Sequence, residues 1–128
     1  MQLVEESSQK VLSVRELNVY RKAFDTAMEI FDISKEFPRE EKFALTDQTN
    51  RALSSIILNV AEGSRKNSDK DTRVYINRAQ GSLNEVVACL DCALDSKYIS
   101  SKQHLEFLER AASLAKRLQG FNKYLSHD

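Results

Sequence analysis

Two short spacings in this 128-residue chain hold residue types that could do chemistry. Cys89 and Cys92 form a single C-x-x-C, and Asn59 and Glu62 interrupt the apolar run of SSIILNVAEGSRK, residues 54–66, just before Gly63. One cysteine pair supplies only two of the four ligands a structural zinc needs. The two histidines, His104 and His127, stand at no ligand spacing to it. A thioredoxin-type pair needs a strand before it and a helix starting at it. This pair lies deep inside a helical pattern, so ordinary helix packing is the expected role, with metal or redox chemistry as the rival. At Glu62 no positioned partner suggests a general acid/base pair, because Asp and Glu are scattered and no histidine is near. The sequence is read as non-enzymatic, with no catalytic residue, metal or cofactor.

Phosphate binding is the third chemistry to weigh. Residues 64–78 carry Arg65, Lys66, Lys70, Arg73 and Arg78 against Asp69 and Asp71. Further on, Lys102, Arg110, Lys116, Arg117 and Lys123 face Glu106 and Glu109. The whole chain balances 19 Lys and Arg with 19 Asp and Glu. Net charge therefore gives no drive toward nucleic acid or anionic membrane, and any such binding must come from a local patch. The nucleic-acid-binding candidates are Arg65, Lys66, Lys70, Arg73, Arg110 and Arg117; the plainer reading is a solvated polar face. A ring of copies would strengthen a modest patch, since every neutralised phosphate contact adds to affinity. Tyr75 could stack on a base, although a tyrosine at the core edge is the simpler reading.

Four amphipathic helices position these residues. Ser13 and Glu16 make a capping box for the first, whose core face is read as Leu17, Tyr20, Phe24, Ala27, Met28 and Phe31. Phe37-Pro38 stops it. The second helix starts between Pro38 and Leu45 and buries Leu45, Ala52, Leu53, Ile56, Ile57 and Val60. Gly63 suits a left-handed C-cap, unless the helix runs on to Lys66. The third opens at Ser68, with Asp69 and Asp71 in its first turn. Its seam is Thr72, Ile76, Ala79, Leu83, Val86, Leu90 and Ala93, and Tyr98-Ile99 closes it. Ser100 and Gln103 cap the fourth, which packs Leu108, Ala111, Ala115, Leu118 and Leu125, widened by Phe107, Leu114 and Phe121. Short connections then predict an all-α, antiparallel up-down-up-down four-helix bundle over residues 13–126, behind a mobile arm over residues 1–12. No run approaches the length of a membrane span, and MQLVEESSQK lacks a signal peptide's basic and apolar regions, so a cytoplasmic protein is expected.

The helices carry more apolar surface than one bundle needs. Val19, Ala23 and Ile30 form a second line on the first helix, and Leu58 points away from the core face of the second, among Arg51, Ser55 and Glu62. Scattered surface apolar residues are ordinary. Apolar rows framed by charge are also what homo-oligomer interfaces look like, and that is the reading preferred here. Glu62 could then bond Arg51, Arg65, Arg78 or a neighbouring subunit, fixing alignment more than adding stability.

Leu17–Ala23 (LNVYRKA), Phe37–Gln48 (FPREEKFALTDQ), Arg51–Gly63 (RALSSIILNVAEG) and Gly81–Glu85 (GSLNE) follow one another in order. Together they resemble the four-helix bundle family first noticed in reading frames of intervening sequences within bacterial large-subunit ribosomal RNA genes. The resemblance covers about residues 15–120. It implies a cytoplasmic bundle that assembles into a ring, a pentamer. It also implies kinship with the accessory variability determinant proteins of diversity-generating retroelements, which bind a reverse transcriptase and nucleic acid. Carried onto this chain, the matching positions are Arg51, Asn59, Glu62, Gly63, Gly81, Ser82 and Glu85, read as structural or interface positions. Gly81 would admit a close neighbour. Ile57 stands where such proteins often have proline, so the second helix should run straighter there. The interface and register candidates are thus Val19, Ala23, Ile30, Arg51, Leu58, Asn59, Glu62, Arg78, Gly81 and Glu85. The alternative to nucleic-acid binding is a protein-interaction scaffold whose basic residues serve solubility.

Overall fold

Ser13 and Ser100 start helices in the way their spacing predicts. Ser13 Oγ accepts the Glu16 backbone N–H at 3.0 Å, while Glu16 Oε1 accepts the Ser13 N–H at 2.9 Å. Ser100 and Gln103 repeat the exchange at 3.1 and 2.9 Å. The computed structural model describes residues 13–127, and the arm expected over residues 1–12 lies outside them. Four helices follow in order: α1 (Val14–Ser34), α2 (Leu45–Ser64), α3 (Asp69–Asp95) and α4 (Ser101–Ser126). A single 3-10 turn, Arg39–Glu41, fills the connection after Pro38. It settles the start of α2, where Glu41 Oε1 accepts the Leu45 N–H at 3.1 Å. No strand occurs among the described residues, and none of their helices is long and apolar enough to cross a membrane.

Cross-helix bonds give the direction of each helix. Along α3 and α4, Asp69 meets His127, Arg73 meets Asn122 and Asp91 meets His104. Each step forward on α3 is a step back on α4, so the two are antiparallel. Ser55 with Ser82 and Gly63 with Thr72 show the same for α2 and α3. Arg15 over Tyr124 and Arg110 beside Glu29 show it for α1 and α4. The helices therefore alternate up and down. The α2–α3 contact is the most extensive and the α1–α4 contact the least.

The predicted seam of α3 is buried throughout, from Thr72 to Ala93. On α1 the inward face is turned from the expected one. Val19, Ala23 and Ile30 lie wholly within the core, so they form no surface line for a second copy. Phe24 and Met28, expected inside, are partly exposed at 38% and 37%. The apolar arc of α1 is wider than the strip that α2 and α4 cover. The strip they cover includes Thr26 and Ser34, whose small side chains allow close approach. Ser34 Oγ shares its one proton between Phe31 O at 2.7 Å and Asn50 Oδ1 at 3.1 Å, tying α1 to α2.

Gly63 also differs from expectation. It lies inside α2 with ordinary helical backbone, and the helix ends one residue later, at Ser64. A Cβ there would meet Tyr75 Cβ at 3.0 Å and Thr72 O at 3.4 Å, so glycine serves close helix packing and not a left-handed cap. Left-handed residues instead follow α3 at Lys97 (φ 64°) and α4 at His127 (φ 63°). Tyr98 N donates to Ala93 O and Lys97 N to Leu94 O, the bond pair of a Schellman end. Through Ile57, α2 runs unbroken.

Candidate nucleic-acid interface

Antiparallel packing brings the starts of α1 and α3 to the same end as the finishes of α2 and α4. Thr26, Ser55, Ser82 and Ser113 stand near the midpoints of the four helices and divide the bundle into two ends. The half holding the α2–α3 connection has eleven Lys and Arg against five Asp and Glu. The opposite half has seven against eleven. A chain with no net charge thus folds into a strongly polarised one, and like charges gathered at one end raise the local potential. Arg65, Lys66, Lys70, Arg73 and Arg117 all belong to the basic half. Arg110 does not: it sits in the acidic half, its Nε 3.4 Å from Glu29 Oε1, with its Cζ 5.7 Å from the Phe107 ring.

Among the described residues, Lys66 is the one basic-half cation of the eleven in ion-pair contact with a carboxylate. Its Nζ lies 2.8 Å from Glu62 Oε2 and 5.0 Å from the centre of the Tyr75 ring. The bond from Lys66 holds the Glu62 carboxyl below its ordinary value, and the same bond holds the Lys66 ammonium above its own. The expected partners Arg51, Arg65 and Arg78 make no ion pair with Glu62, although the Arg65 charge also helps to hold its carboxyl down. Arg51 pairs with Asp47 at 2.9 Å, one turn earlier on α2. Arg78 lies over the Tyr75 ring at 4.8 Å, so that ring has two cations against it already.

Arg73 is fixed more firmly. Its Nε donates to Asn122 Oδ1 at 3.1 Å, and Asn122 Nδ2 donates to Asn77 Oδ1 at 2.8 Å, linking α3 and α4 without a carboxylate. The remaining donors of the guanidinium stay available to a phosphate. Arg65, Lys70 and Arg117 are exposed. Sequence reasoning missed Arg15, Arg21 and Lys22 at this end. The signal was there, since an alternating bundle sets the start of its first helix beside the end of its fourth.

The amide and hydroxyls of the opening motif do structural work. Asn59 Nδ2 donates to Ser55 O at 2.8 Å and to Ser55 Oγ at 3.1 Å, and Ser55 and Ser82 share a hydrogen bond at 2.7 Å across α2 and α3. Polar groups so linked fix the register of two helices. Leu58 is 66% exposed on the outer side of α2. It shares a shallow depression of about 510 Å³ with Asp47, Arg51, Ser54 and Asn59. Gly81 and Glu85 are exposed on α3, and nothing among the described residues comes within 4 Å of where a Gly81 Cβ would stand. The close neighbour expected at Gly81 is thus absent from its own bundle. Cys89 is buried, and burial pushes its thiol above the ordinary value; Cys92 is exposed. Among the described residues, no three His, Cys, Asp or Glu gather as metal ligands would.

Comparison with known proteins bears on this architecture. A family model described as 23S rRNA-intervening sequence protein matches residues 15–120. A crystal structure from Bacteroides thetaiotaomicron, of a protein with unknown function from the S23 ribosomal protein family, superposes with a TM-score of 0.78. It is 24% identical, and the match covers 86% of this chain and 99% of that one. At that identity the likeness speaks for the fold. No curated protein matches the chain.

Proposed function

The chain belongs to the 23S rRNA-intervening sequence protein family, and from that premise we propose that it acts by binding: a homo-oligomeric bundle that takes nucleic acid, RNA first, on its basic end. The observation that carries this reading is the end-to-end separation of charge. Ten of eleven cations in one half have no carboxylate partner among the described residues, which leaves them open to phosphates. In this reading catalysis has no part. Copies of the chain meet through the outer side of α2, where Leu58 stands exposed among polar neighbours. Assembly as a ring, a pentamer, would set several basic ends around one axis and multiply the field each offers. A protein partner such as a reverse transcriptase would join through the RNA or beside it.

Salt titration tests the reading. RNA binding followed by fluorescence anisotropy should weaken steeply as salt rises. The triple variant Arg65→Glu/Lys70→Glu/Arg73→Glu should lose most of the affinity and flatten the salt slope, by about one per lost phosphate contact. Binding that ignores both salt and these substitutions would leave the protein-interaction scaffold as the better account.

A further inference from the structure

We propose that the groove between α1 and α4 receives one nucleotide of a single-stranded nucleic acid, its phosphate among Arg15, Lys116 and Arg117 and its base against the Arg15 guanidinium. The inference rests on the nucleic-acid reading above and names where an unpaired strand is held. Because α1 and α4 share the least contact of any neighbouring pair, a groove of about 760 Å³ opens between them in the basic half. That size is within the ~300–1,000 Å³ of ordinary ligand sites.

Among the described residues the lining has three cations, Arg15, Lys116 and Arg117, and no carboxylate. None of the three has an ion-pair partner among the described residues. Arg15 does a second thing: its Cζ lies 4.0 Å from the centre of the Tyr124 ring, which in turn stacks on Phe121 with centres 6.3 Å apart. The guanidinium thus lies against the tyrosine ring. Arg15 is nonetheless exposed and lines the groove, and bases stack on arginine planes as they do on aromatic ones. Asn18 and Ser113 on the walls offer hydrogen bonds to a base edge. An acidic peptide would satisfy the cations but has no use for the stacked plane. A duplex hides its base faces and cannot enter.

Gly120 gives the groove its room. It lies on the α4 wall, exposed, with nothing among the described residues within 4 Å of a would-be Cβ. A larger side chain would start there without a clash at its Cβ and take up groove space.

The test uses a short labelled single-stranded oligoribonucleotide and the same strand in duplex, at equal ionic strength. The full chain should prefer the single strand by about tenfold, as expected when one stacked base is worth ~1–3 kcal/mol. Gly120→Leu should remove that preference and leave duplex affinity unchanged, with circular dichroism confirming the helices, and Arg15→Lys should lower single-strand affinity. Adenosine monophosphate should compete weakly with the single strand for the wild type and not for Gly120→Leu. Equal binding of both forms, an unaltered preference in Gly120→Leu, or displacement by polyglutamate as effective as by RNA would overturn the groove and leave the basic end standing. Absence of any RNA binding would overturn both.

Discussion

A Cβ placed on Gly63 would lie 3.0 Å from the Cβ of Tyr75, closer than two packed side chains normally come. Here α2 and α3 approach across a glycine, and Thr72 Oγ1 donates to the Gly63 carbonyl at 2.9 Å. Gly63→Ala would gain ~1 kcal/mol of helix propensity but force the helices apart at a site lined partly by backbone. Overpacking typically costs ~1–3 kcal/mol, so net destabilisation is expected. Gly81→Ala meets open space and should stabilise the lone bundle by about 1 kcal/mol. Urea unfolding of both variants checks the contrast. If Gly81→Ala instead lowers the oligomer mass, the close neighbour at Gly81 comes from another copy.

Lys97 holds the left-handed position of the Schellman end after α3, where glycine is the unstrained residue. Lys97→Gly should therefore stabilise the protein by roughly 0.5–1 kcal/mol, by removing Cβ strain. The bonds from Tyr98 to Ala93 and from Lys97 to Leu94 remain available to it. A rise of a few degrees in Tm would be the readout; a fall would show that the lysine side chain has a contact worth more than the strain.

Tyr98 Oη donates to Glu41 Oε2 at 2.7 Å, joining the α3–α4 connection to the turn before α2. This bond, with the one from the Leu45 N–H, holds the Glu41 carboxyl below its ordinary 4.5. The bond to Glu41 also raises the Tyr98 hydroxyl above its ordinary 10.0. The sign follows by linkage. With its folded value depressed, Glu41 contributes stability that is present above pH 4.5 and lost as pH falls through the folded value. Tyr98→Phe should flatten that acid limb, measured as Tm from pH 7 to pH 3, while leaving the helix content unchanged. An acid limb identical to the wild type would show that the bond has no part in it.

The caps and seams that depend on neighbours in sequence were legible: Ser13 with Glu16, Ser100 with Gln103, and the alternating row from Thr72 to Ala93 all stand where spacing set them. The face of α1 was not. Its apolar arc is wider than the strip two helices can cover, and only the neighbours decide which part of such an arc is covered. The small residues Ala23, Thr26, Ala27 and Ser34 marked the choice, because close approach favours them over Phe24 and Met28. The site was half legible for a related reason. Arg65 to Arg73 are adjacent in sequence and read as a patch. Arg15 and Lys116, on α1 and α4, become neighbours only once the helices alternate, and Arg110 shares a helix with Lys116 yet falls in the opposite half.

The corrected face of α1 sharpens the expectation about assembly. Val19, Ala23 and Ile30 were candidates for an interface alongside Leu58, but they are core residues, and the two groups must now respond differently to the same substitution. Ile30→Asp buries a carboxylate among apolar neighbours and should unfold the bundle, since an unpaired buried charge costs several kcal/mol. Leu58→Asp adds a charge to an exposed site beside Arg51 and should leave thermal stability of the isolated bundle within about 0.5 kcal/mol. If copies meet across the outer side of α2, the same variant leaves a carboxylate in an apolar contact and lowers the mass to that of one chain by light scattering. RNA affinity should fall with it, because single basic ends replace a shared field. A Leu58→Asp protein with unchanged mass would move the contact elsewhere on the bundle, with the partly exposed Phe24 and Met28 as the next apolar surface to substitute.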